Sequence, residues 1–69
     1  MHNMDIRIGL LKLNKKHVDL IAELNRRGYP ELKQNRLSDY LHQRVTGPKA
    51  DRVLALARII INEWEREAE

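Results

Sequence analysis

Apolar side chains recur along this chain in four groups at mostly helical spacing, parted by polar or turn-forming residues. In the first, Ile6, Ile8, Leu10, Leu11 and Leu13 are crowded enough to predict a short, largely buried helix over about residues 4 to 13, with Gly9 its weak point. Asn14 then reads as the N-cap of a second helix. There Val18, Leu20, Ile21 and Leu24 supply an apolar stripe, and Gly28 supplies a left-handed stop. Gly28 and Pro30 in "RRGYPE" force the chain to turn. A third helix is expected from Glu31 or Leu32 to about Arg44, with Leu37, Tyr40 and Leu41 holding one side on the core. Gly47 and Pro48 end that segment. A fourth helix is expected from Pro48 to about Glu65, capped by Thr46 or Gly47, with Asp51 favourably placed in its positive first turn. No segment alternates as a strand would, so the pattern predicts an all-α, compact domain of four helices, at most five, over residues 1–69.

The fourth group is more apolar than one face of a small core requires. At 100° per residue, Val53, Leu56, Ala57, Ile60 and Trp64 share a stripe, while Leu54 and Ile61 lie to one side of it and Ile59 to the other. Either the first helix covers the excess, or a second copy of the chain does. A chain of 69 residues buries little on its own, which favours a homodimer with Ile61 and Trp64 in a twofold interface.

Composition narrows the classes. Without cysteine there are no disulfides, thiolate metal sites or thiol nucleophiles. No apolar run approaches the roughly 18 residues of a membrane span, and the first residues are too mixed in charge for a secretory signal, so a cytoplasmic protein is expected. Residues 1–52 hold eleven Lys/Arg against six Asp/Glu, and residues 53–69 hold two Arg against four Glu, so a basic body precedes an acidic end. That separation suits a polyanion at the basic part.

Catalysis finds little support. His2, His17 and His42 lack metal or triad spacing. His17 and Asp19, two apart on a helix, point to different sides, and no phosphate loop or nucleophile elbow is present. No enzyme, cofactor, metal or small-molecule substrate is expected. The pair of helices around "RRGYPE" is more informative, because two short helices joined by a Gly-containing turn have the layout of a helix-turn-helix. A helix fits the major groove of B-form DNA, where amide side chains pair with adenine and cationic ones with guanine. Lys33, Gln34, Asn35 and Arg36 are those residue types, gathered at the N-terminal end of the third helix. Asn35 and Ser38 are poor choices for merely stabilising an exposed helix. A solvated polar face is the plain alternative.

The stretches "KKHVDLIAEL", "QNRLSDYLHQR" and "GPKADRVLALARII" resemble the second, recognition and following helices of the Cro and phage-repressor (XRE-type) class of helix-turn-helix proteins. Leu37, Ser38, Asp39 and Tyr40 match the Ile-Ser-x-x pattern of that recognition helix. The resemblance implies a lambda-repressor-like fold and a double-stranded DNA-binding transcriptional regulator. It implies a Cro-like repressor from a phage or mobile element, with Gln34, Asn35 and Ser38 reading bases and His17 at a phosphate. The chain departs from the class in "ELNRRGYPELK", a longer link that either lengthens the second helix or bulges the turn, leaving Lys33 and Arg36 less closely matched.

Phosphate contacts are expected from Lys15 and Lys16 at the entry of the second helix and from Arg44, Lys49 and Arg52 around the loop after the third. The rival reading is a protein-interaction module on the same scaffold, antitoxin- or inhibitor-like. RNA ranks lower, because only Tyr29, Tyr40 and Trp64 are aromatic and the last two are wanted for packing.

Overall fold

The computed structural model describes residues 4–68. It contains four helices, α1 (Met4–Lys12), α2 (His17–Arg26), α3 (Gln34–Leu41) and α4 (Pro48–Ala68), and no strand among the described residues. His2 and Glu69 lie outside those residues. No described helix is long and apolar enough to cross a membrane.

Three helices end by one device. Asn14 (φ 56°), Gly28 (φ 131°) and Gln43 (φ 58°) each turn the chain to positive φ. The next amide then donates back to a carbonyl five residues earlier: Lys15 N–H to Leu10 O at 2.9 Å, Tyr29 N–H to Leu24 O at 3.0 Å, and Arg44 N–H to Asp39 O at 2.8 Å. These bonds satisfy carbonyls that a helix end would otherwise leave orphaned. Asn14 therefore terminates α1 and does not cap α2, since a short polar side chain tolerates the left-handed region. The cap falls to Lys16, whose N–H donates to Asp19 Oδ2 at 2.8 Å.

α3 is shorter than its polar pattern suggests, and it starts at Gln34 instead of Glu31 or Leu32. The Asn25 amide is the reason. Its Nδ2 donates to Tyr29 O at 2.7 Å and to Leu32 O at 3.0 Å, binding both carbonyls into the link. The link occupies residues 27–33 while α2 keeps ten residues, so the extra length bulges the turn and does not extend the helix. Lys33 is thus the extended N-cap of α3 and not part of it. At α4, Gly47 O accepts the first helical bond, from Asp51 N–H at 3.0 Å, which makes Gly47 the cap residue and puts Pro48 at the first helical position.

Every helix contributes to one core: Ile6, Leu20, Leu24, Leu37, Val53 and Ile60 are all fully buried. α1 packs on α4, and Ile6 and Leu10 of α1, with Leu13 just after it, join the common core on the stripe that helical spacing provides. Ile8 and Leu11 therefore face away, 46% and 79% exposed, and the first helix is less buried than expected. A Cβ on Gly9 would lie 2.8 Å from Ile61 Cγ2, so this glycine serves close approach of the two helices. Ile61 is consequently 5% exposed and sits in the chain's own core, which removes it from the expected dimer interface. Val18, 53% exposed, leaves the predicted stripe of α2 in the same way.

Ion pairs fasten the outside of this arrangement. Arg58 Nε donates to Asp5 Oδ2 at 2.8 Å, joining α4 to α1, and this bond holds the Asp5 carboxyl below its ordinary value. Arg27 Nη2 donates to Glu63 Oε1 at 2.6 Å, and its Nε reaches Glu23 Oε1 at 3.2 Å, joining the end of α2 to α4. Arg27 lowers the Glu63 pKa and Glu63 raises that of Arg27, while the bond from Arg26 does most to lower Glu23.

Candidate nucleic-acid interface

α3 packs against α2 and α4 and buries Leu37, Tyr40 and Leu41, as the apolar spacing requires. Its other side points outward. Gln34, Asn35 and Arg36 are exposed on its first turn, and Lys33 is exposed at its cap. The two amides differ in state: the Gln34 side chain makes no hydrogen bond among the described residues, whereas Asn35 Oδ1 accepts from Arg36 N–H at 3.0 Å.

Two grooves flank this turn. On one side Gln34 shares a groove with Arg7 and Leu11 of α1 and with Lys15, Lys16 and His17 at the start of α2. On the other, Asn35 and Arg36 share a groove with Lys33 and with Lys49 from the first turn of α4. Lys49 and Arg52 also border an adjoining groove along Tyr29 and Pro30 of the link. The expected residues Lys16, His17 and Lys49 thus border grooves at the N-terminal end of α3, and Arg52 joins Lys49 along the link before it, although they are far apart in sequence.

The cations divide into two sets. Arg26, Arg27, Arg44 and Arg58 each hold a carboxylate. Arg7, Lys16, Lys33, Arg36, Lys49 and Arg52 hold none among the described residues, and they line the grooves at the start of α3 and along the link before it. Arg7 was not legible in the sequence, because only the packing of α1 brings it beside Gln34.

Three expected residues are placed differently from the rest. Lys15 borders the first groove, but its ammonium lies 5.0 Å from the centre of the Trp64 ring. That contact and the half-buried position of Trp64 make the indole part of the seam between the α1–α2 link and α4. Arg44 donates from Nε to Asp39 Oδ1 at 2.9 Å, and its Nη2 lies 3.3 Å from Ser38 Oγ. Ser38 is therefore half-buried beneath a guanidinium, and the charge of Arg44 is already opposed. Two residues that sequence reasoning passed over complete the site: Asn25, which sets where α3 begins, and Asp39, one helical turn beyond Asn35 on the outward side. Spacing alone could have found Asp39.

No group of three or more His, Cys, Asp or Glu able to hold a metal ion occurs among the described residues. No family model matches this chain, and neither a curated protein nor a solved structure does.

Proposed function

We propose that this chain is a sequence-specific regulator of transcription that binds double-stranded DNA with α3 in the major groove. One observation carries the reading: an exposed turn of amides and cations, Lys33 to Arg36, stands beside two grooves whose cations hold no carboxylate among the described residues. Unpaired like charges around one short helix repel each other and contribute nothing to the fold, whereas phosphates on either side of a groove would neutralise them. Gln34 and Asn35 supply base-edge donors and acceptors between those phosphate contacts. Repression, and an origin in a phage or mobile element, rest on the resemblance to the Cro and phage-repressor class alone.

Two copies on one twofold site belong to this reading, since a single eight-residue helix touches few bases. With Ile61 in the core, the exposed apolar side chains Ile8 and Ile59 are available for that pairing. The decisive experiment is selection of bound duplexes from a random pool, followed by a salt titration of the best sequence. A palindromic motif and a steep logarithmic salt slope are expected. Weak, salt-insensitive binding without a motif would leave the rival protein-contact reading, for which the exposed Leu11 and Val18 are the relevant surface.

A further inference from the structure

Asp39 is the one acidic side chain on α3, and it lies on the side opposite Leu37, Tyr40 and Leu41, stacked one turn after Asn35. A carboxylate there is out of keeping with the basic surroundings, and near phosphates it would be repelled unless its charge were offset. Arg44 supplies that offset. Its Nε binds Oδ1 at 2.9 Å while Nη2 reaches Ser38 Oγ at 3.3 Å, so the guanidinium bridges two residues of α3 and fixes the carboxylate from its C-terminal side. The backbone reinforces the clasp, because Arg44 N–H also donates to Asp39 O at 2.8 Å. The second oxygen, Oδ2, accepts no bond from a described residue, and the side chain retains 32% of its exposure.

Resting on the DNA-binding reading, we infer that Asp39, held by Arg44, is a specificity-determining residue that selects cytosine. An ionised carboxylate only accepts hydrogen bonds. In the major groove, guanine offers two acceptors and thymine one, so both repel it. Adenine offers its N6 donor beside its own N7 acceptor, and cytosine alone offers a donor, N4, with no acceptor on the major-groove edge of the same base. The carboxylate therefore discriminates mainly by rejection, while Arg44 keeps its orientation and limits the penalty from neighbouring phosphates. Arg44 is a positioning residue in this scheme, not the free phosphate contact its position in the loop suggests.

The test is selection from a random duplex pool with the parent chain and with Asp39→Asn, which keeps the size but turns an acceptor pair into an acceptor and a donor. One motif position should change from cytosine to adenine, with about a tenfold or greater change in preference there and the other positions kept. Arg44→Gln should weaken cytosine selection at that same position and leave the rest of the motif. A parent motif in which no position responds to Asp39→Asn overturns the inference while DNA binding stands. A parent that enriches no duplex removes the DNA-binding reading, and the inference with it.

Discussion

Around the start of α3 and the link before it, Lys16, Lys33, Arg36, Lys49 and Arg52 are exposed and hold no carboxylate among the described residues. Along the seams where α4 meets α1 and α2, Arg58 and Arg27 are closed onto Asp5, Glu23 and Glu63. The same residue chemistry has two uses. In the seams, the Arg58–Asp5 and Arg27–Glu63 pairs join elements distant in sequence and so help to align helices whose core is only a few side chains deep. At α3 the clustered cations oppose one another, which raises the energy of the folded state slightly and stores an attraction for anything polyanionic. The acidic end of the chain follows the first pattern as far as Glu63, which faces Arg27 and not the α3 grooves.

This division can be attacked from either side. The largest effect is expected from Lys16→Ala with Lys49→Ala, one from each groove. On the DNA-binding reading, duplex affinity at low salt falls about tenfold or more and the logarithmic salt slope drops by about 1.8, twice 0.9. Circular dichroism should show no loss of helix, and an unchanged slope would remove both lysines from the phosphate set. Next comes Asn25→Ala, which frees the carbonyls of Tyr29 and Leu32 and should lower stability by about 1–2 kcal/mol in urea unfolding. Because that amide sets the entry of α3, the preference for a selected duplex over random DNA should fall with it. Arg27→Ala should have a smaller effect, a modest fall in melting temperature with duplex affinity unchanged, as exposed pairs contribute little. A matching loss of duplex binding would show that the two sets of cations are not separate.

The smallest effect is in pH. The folded-state pKa values of Asp5, Glu23 and Glu63 are lowered by their arginine partners, so the contribution of these carboxylates is complete above the ordinary carboxylate range. It disappears as pH falls through the lowered folded values. Melting temperature should therefore decline below about pH 4, and the decline should be shallower in Arg27→Ala. An identical acid profile in both proteins would mean that the Arg27 pairs carry no linkage.

Helix number, helix type and the core side of α3 were legible because Leu37, Tyr40 and Leu41 follow helical spacing and Gly28, Gly47 and Pro48 mark their turns unambiguously. Helix ends were harder where the left-handed residue is not glycine. Asn14 serves equally well as an N-cap or a left-handed stop, and nothing in Gln43 itself announces positive φ; only the bond from Arg44 to Asp39 O makes its role visible. The start of α3 escaped detection because it depends on Asn25 reaching seven residues ahead to Leu32. Within the site, Gln34, Asn35 and the flanking lysines could be picked by residue type. Arg7 and the clasp between Arg44 and Asp39 required knowing which elements meet, as did the burial of Ile61 against Gly9.

The chain contains one tryptophan, and Lys15 rests its ammonium over that ring while its own residue borders the groove beside Gln34. Intrinsic fluorescence thus reports on a single cation, and on the DNA-binding reading a phosphate would compete with the indole for its ammonium group. On that reading emission should shift on titration with duplex as the ammonium leaves the ring, whereas emission that stays constant until the chain melts would count against Lys15 as a phosphate contact. The native fluorophore decides this without any attached dye.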